Sequence, residues 1–82
     1  MIERVRELVA EHGGLAVDVA GLDVDADLYR AGMSSFASVQ LMLALEETFD
    51  IEFPESMLAP RTFSSLSAIL AAVGALSSAP AA

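Results

Sequence analysis

The sequence predicts an all-α fold: three main helices and one short helix, joined by a long first loop. Three observations carry this reading. Apolar residues recur at helical spacing in three separate segments. The punctuating residues Gly13-Gly14, Gly32, Pro54, Pro60 and Gly74 fall between or at the ends of those segments. The chain is 82 residues long and 55% apolar, which argues against disorder and limits it to one domain with a modest core. Cores of this size rarely supply more than about 3–5 kcal/mol of net stability. No large active-site cleft fits in such a domain.

In the first segment Ile2, Val5 and Val9 share a stripe with Leu8 beside it, while Glu3, Arg4, Glu7 and Glu11 take the other faces. Gly13-Gly14 ends this helix. His12 falls in its last turn near the end of the buried stripe, where a partly protonated imidazole suits the helix dipole. From residue 13 to about 34 no helical period holds. The alternation of Leu15, Val17 and Val19 could be a short strand, but the segment reads as a long loop pinned across the helix ends by Leu15, Val17, Leu22, Val24 and Leu28. Its aspartates, Asp18, Asp23, Asp25 and Asp27, lack the glycine and terminal glutamate of a calcium loop and read as turn formers, so no metal site is expected.

Residues 35–49 form the most strongly helical segment, free of Gly and Pro and opened by serines that can cap it. Leu41, Met42, Leu45 and Phe49 occupy one side, and Phe36, Val39 and Leu43 form a second apolar strip. Together these arcs are wider than one buried stripe requires. In so small a bundle the second strip is read as exposed, a docking strip rimmed by carboxylates. Pro54 suits the first turn of a short helix over about Glu55 to Leu58, anchored by Ile51 and Phe53 and stopped before Pro60. Thr62 then reads as the N-cap of a last helix, with Phe63, Leu66, Ile69, Leu70 and Val73 inward and an end near Gly74. The expected domain is 1–74, with 75–82 as a flexible C-terminal tail.

Twelve Asp and Glu against four Lys and Arg give a formal net charge of −8. This opposes binding to nucleic acid and to anionic membranes, and it favours a protein partner with a basic patch. The absence of cysteine excludes disulfides, thiolate metal sites and a cysteine nucleophile. With no signal-peptide core and no apolar run approaching ~18 residues, the expectation is a monomer in the cytoplasm.

Chemistry first suggests itself at Gly32-Met33-Ser34-Ser35-Phe36. Gly32 can take the positive φ that turns the loop into the helix, and the helix start presents unpaired N–H groups and the positive end of the dipole. A phosphodiester on the Ser35 hydroxyl is favoured there, and an arm beyond it would emerge beside Phe36, Val39 and Leu43.

These residues resemble the acyl and peptidyl carrier protein family. Residues 27–36, Asp27-Leu28-Tyr29-Arg30-Ala31-Gly32-Met33-Ser34-Ser35-Phe36, are similar to the Leu-x-x-x-Gly-(Leu or Met)-Asp-Ser-(Leu or Phe) part of that family's attachment motif. The resemblance continues from Val39 through Phe49-Asp50-Ile51-Glu52-Phe53-Pro54 and more loosely through the last helix, about residues 2 to 74 in all. It implies a four-helix carrier bundle whose Ser35 receives 4′-phosphopantetheine from coenzyme A through a separate phosphopantetheinyl transferase. The domain itself would catalyse nothing and would hold an acyl or aminoacyl group as a thioester. Because the resemblance places the serine directly before the large apolar Phe36, it selects Ser35 over Ser34, although either hydroxyl could serve as a simple N-cap.

The departures from the motif are informative. Ser34 replaces the usual aspartate, and Ala37, Ser38 and Gln40 stand where fatty-acid carriers often place acidic residues or a threonine. The carboxylates gather late, at Glu46, Glu47, Asp50, Glu52 and Glu55. The docking surface is accordingly expected to comprise Met33, Ser34, Phe36, Val39, Gln40, Leu43, Glu46 and Glu47, with more apolar contact and fewer ion pairs near the arm. The run from Gly32 to Leu43 is most similar to free-standing carriers loaded by synthetase-like amino acid:carrier protein ligases. The alternatives are a carrier of a specialised fatty-acid or polyketide pathway served by an acyltransferase, and an acidic helical interaction module without a prosthetic group. A serine hydrolase is disfavoured, since no strand-to-helix elbow precedes Ser35 and the single His lies at a distant helix end.

Overall fold

A computed structural model describes residues 2–77, and among these every regular element is helical. The α-helices are α1 (Ile2–His12), α2 (Ser35–Phe49) and α3 (Leu66–Ser77), and three short 3-10 turns lie at Val19–Gly21, Glu55–Met57 and Pro60–Phe63. Helix α1 packs against both α2 and α3. The core forms where Val5 and Val9 of α1 meet Leu41 and Leu45 of α2 and Ile69 and Val73 of α3, all fully buried. The expected short helix over about Glu55 to Leu58 is a single 3-10 turn, Glu55–Met57, and the turn at Pro60–Phe63 was not expected.

Helix α1 buries Val5, Leu8 and Val9, as its spacing predicts, and it stops where Gly14 takes φ +64°. His12 is exposed rather than part of the stripe, with Nε2 3.6 Å from the Glu11 carboxylate. The loop that follows is held by polar contacts as much as by apolar ones. The Arg6 guanidinium donates to the carbonyl oxygens of Val19 and Leu22, both at 2.8 Å, and so ties the first 3-10 turn to α1. That register buries Val19 and Leu28, leaves Leu15 and Leu22 partly buried, and turns Val17 and Val24 out to solvent, contrary to the expectation that they pin the loop.

The aspartates do form turns: Asp18, Asp23 and Asp27 each accept a backbone N–H two residues on, at 2.8–3.1 Å. Asp25 accepts the Ser67 hydroxyl at 2.7 Å. With Ser67 N–H to Val24 O at 2.9 Å and Leu28 N–H to Ser64 O at 2.7 Å, this sews the loop to the start of α3.

Helix α2 ends at Asp50, which sits in the left-handed region at φ 53°, ψ 51° and donates its N–H to Glu46 O. Aspartate tolerates this conformation but brings a negative charge to the negative end of the dipole. Asp50→Asn keeps the left-handed preference and removes the charge. It is expected to raise stability by about 0.3–1 kcal/mol at low ionic strength, read as an upward shift of Tm that shrinks in high salt.

Two boundaries differ from the sequence reading. Thr62 is not the cap of α3, because Pro60 at the first position starts a separate turn that ends at Phe63. Ser65 caps instead, its hydroxyl accepting Ala68 N–H at 3.0 Å. Gly74 does not end α3, which continues three residues to Ser77 while Leu76 packs on the core. The Ser77 hydroxyl returns to Val73 O at 2.6 Å. Residues 75–77 of the expected tail are therefore helical, and 78–82 lie outside the described residues. The extra turn carries Phe63 to the core, where its ring meets Phe53 edge-on at 5.3 Å.

Candidate functional site

The start of α2 is built from the loop inward. Asp27 Oδ1 accepts the N–H groups of Tyr29 and Arg30 at 3.0 and 3.3 Å, which closes a turn over residues 27–31. Gly32 follows at φ +120°, and a Cβ there would lie 3.2 Å from Ala16 N, so backbone conformation and close approach both select glycine. Met33 N–H bonds Leu28 O at 3.0 Å, which turns the chain into the helix.

Ser34 is the N-cap, extended at φ −83°, ψ 165°, with its hydroxyl accepting Ala37 N–H at 3.0 Å. Ser35 is the first helical residue. It is exposed, and its hydroxyl makes no hydrogen bond among the described residues, while its carbonyl accepts the Ser38 hydroxyl at 2.6 Å. Ser34 thus satisfies the Ala37 donor through its side chain and the Ser38 donor through its carbonyl, and the N–H groups of Ser35 and Phe36 remain open. No acidic residue stands in this first turn. A free hydroxyl beside two open N–H groups at the positive end of a fifteen-residue helix suits a phosphodiester.

The second apolar strip of α2 is exposed: Phe36 is 74% accessible, Leu43 50% and Val39 48%. Leu41 and Leu45, on the other side, are fully buried. Between the strip and the 3-10 turns lies an open cleft of about 280 Å³, bordered by Ser35 and by Tyr29, Val39, Met42, Leu58 and Pro60. The Tyr29 hydroxyl donates to Pro60 O at 3.2 Å and so joins the two walls.

Of the residues expected to dock a partner, Ser34, Phe36, Val39, Gln40, Leu43 and Glu47 are exposed. Met33 is not. Its bond to Leu28 O turns the side chain into the core, where it is 3% accessible. Glu46 is half-buried and bound within the fold, one carboxylate oxygen accepting Phe53 N–H at 2.9 Å. The cleft and the Tyr29–Pro60 contact escaped sequence reasoning. Their only signal was Pro60 itself, 31 residues from its partner in the chain.

Comparison with known proteins places these features in a family. The phosphopantetheine attachment site family matches residues 3–73. An aminoacyl carrier protein of Agrobacterium fabrum is 54% identical over 65 residues, which span 79% of this chain and 78% of that protein. The fold is similar to that in a crystal structure of an engineered Bradyrhizobium japonicum glycine:carrier protein ligase complexed with carrier protein from Agrobacterium tumefaciens and AMP. The TM-score is 0.87 and the identity 50%, over 90% of this chain and 99% of the matched one. A Bradyrhizobium japonicum glycine:carrier protein ligase complexed with glycylated carrier protein gives a TM-score of 0.64 at 31% identity, over 85% and 89%. No helix among the described residues is long and apolar enough to cross a membrane. With an attachment-site match across most of its length and a relative more than half identical, the chain belongs to the phosphopantetheine-binding family of carrier proteins.

Proposed function

We propose that this protein is an amino acid carrier whose Ser35 hydroxyl bears 4′-phosphopantetheine, and that a glycine:carrier protein ligase of the kind seen with its relatives loads it. The observation that carries the reading is the division between the two serines: Ser34 caps α2, and Ser35 is left exposed with a free hydroxyl. A separate phosphopantetheinyl transferase would join that oxygen to the phosphopantetheinyl group of coenzyme A, releasing adenosine bisphosphate and the hydroxyl proton. Once attached, the arm supplies the thiol that the chain lacks, and with it the thioester chemistry. The part of this chain is positional. The open N–H groups of Ser35 and Phe36 steady the phosphodiester, and the exposed strip offers Phe36 to the partner enzyme.

The domain acts as a non-catalytic monomer in the cytoplasm. Its one imidazole, His12, is exposed at the end of α1, 3.6 Å from the Glu11 carboxylate, and takes no part in the cleft beside Ser35. The test is loading of the holo-protein with glycine and ATP by such a ligase, followed by intact mass. Phe36→Ala is expected to lower kcat/KM for loading by about tenfold or more while Tm stays within about 0.5 kcal/mol of the parent in stability terms. Malonyl loading by a fatty-acid transacylase, together with no glycylation, would overturn the amino acid assignment.

A further inference from the structure

The acidic residues of this chain are segregated. All twelve Asp and Glu fall between residues 3 and 27 or between residues 46 and 55. The stretch from Leu28 to Leu45 and everything from Ala59 onward contain none. Those two stretches supply Tyr29, Val39, Met42, Ala59 and Pro60 to the cleft beside Ser35, and the exposed strip of α2 lies within the first. The only charged side chains in them are Arg30 and Arg61.

These two arginines also differ from the other two. Arg4 lies 3.6 Å from the Glu7 carboxylate, and Arg6 is bound to two loop carbonyls. Arg30 and Arg61 are exposed, and among the described residues their guanidinium groups have neither an ion pair nor a hydrogen bond. They follow directly on Tyr29 and Pro60, the residues whose contact at 3.2 Å closes the cleft. Within these two stretches the only formal charges are thus the two guanidinium groups, with the Asp27 carboxylate beside them, accepting the Arg30 N–H at 3.3 Å, and Glu47 at the far end of the strip. A partner carrying a basic patch, the expectation from net charge alone, would have to face these two cations there.

We infer that the Ser35 face docks on an enzyme surface whose charged groups are carboxylates, with Arg30 and Arg61 as the facing cations and Phe36 as the apolar anchor. The inference rests on the carrier reading and names the chemistry of the partner's contact surface. Guanidinium groups suit it, since their planar fork matches a carboxylate in two-point contact. Charges at the rim of such an interface act mainly on encounter and orientation, so they change KM and its salt dependence more than the chemical step.

The experiment uses purified holo-protein, with complete pantetheinylation of each variant confirmed by mass, and glycine loading by the ligase at low and high salt. Arg30→Glu with Arg61→Glu is expected to raise KM for the carrier by about tenfold at low salt with kcat little changed, and the effect should fade in high salt. The corresponding lysine variants should stay near the parent. Arg4→Glu makes the same charge change per site on α1 and should load normally. Unaltered KM in the doubly reversed variant would overturn the inference, as would a rise for Arg4→Glu equal to that of Arg30→Glu or Arg61→Glu alone, which would reduce the effect to net charge. If the parent holo-protein is not loaded at all, the ligase reading fails and the inference falls with it. That result is distinct from a loaded parent with indifferent arginines.

Discussion

Ser35→Ala is expected to fold normally and to take no adduct when incubated with coenzyme A, magnesium and a phosphopantetheinyl transferase. The Ser35 hydroxyl is exposed and has no hydrogen bond among the described residues, so its removal should change stability by no more than about 0.5 kcal/mol. The neighbouring Ser34→Ala should behave in the opposite way. Its hydroxyl holds Ala37 N–H at 3.0 Å, and loss of an N-cap of this kind costs about 1 kcal/mol, within a range of roughly 0.5–2. That variant should still be modified at Ser35. Intact mass and a thermal melt on the two proteins give four readings, and the assignment requires the crossed pattern: modification lost with stability kept, and stability lowered with modification kept. An adduct persisting on Ser35→Ala would move the attachment to Ser34.

Leu28→Ala should be the most damaging single change to the fold outside the helices. Leu28 is fully buried although it lies in the loop. Its N–H donates to Ser64 O at 2.7 Å and its carbonyl accepts Met33 N–H at 3.0 Å, so one residue links the start of α3 to the turn that launches α2. Truncating a buried leucine costs roughly 2–5 kcal/mol, comparable to the whole net stability of about 3–5 kcal/mol expected of so small a core. At 25 °C the variant should be largely unfolded, or folded with a broad, depressed melt by circular dichroism. Because the attachment turn hangs from Leu28, pantetheinylation should slow in parallel. Leu28→Met, which nearly conserves volume, should cost less than about 1.5 kcal/mol. A melt for Leu28→Ala within a few degrees of the parent would show that the loop is held without it.

Where the chain repeats a period, its sequence was a sufficient guide. The buried faces of α1 and α2 follow from spacing alone, and so does the exposure of Phe36, Val39 and Leu43, because one helix in a small bundle cannot bury two strips. The choice of Ser35 as the proposed attachment point came from the motif resemblance, and the local chemistry, a glycine at the turn and a large apolar residue after the serine, agrees with that proposal. What escaped was set by partners distant in the chain. Arg6 and Arg4 look alike in sequence, yet only Arg6 reaches the Val19 and Leu22 carbonyls. Leu28 and Val24 are both apolar residues in a segment without period, and only the folded path buries one and exposes the other. Met33, set between Gly32 and Ser34, resembles a surface residue until its backbone bond to Leu28 turns it inward. The end of α3 was misjudged because a glycine was read as a stop, although Ala75, Leu76 and Ser77 continue the helix.

The two serines at the head of α2 also bear on how such a protein can diverge. The cap and the proposed attachment point occupy adjacent residues, so the cap can change without touching the attachment oxygen. At position 34 several residue types cap a helix nearly as well as serine, among them aspartate, asparagine and threonine. Descendants can exchange them, altering the charge beside the phosphodiester at little thermodynamic penalty. At position 35 no such reservoir of equivalents exists. The same two-residue step therefore leaves the capping residue open to substitution while the proposed attachment oxygen stays where it is.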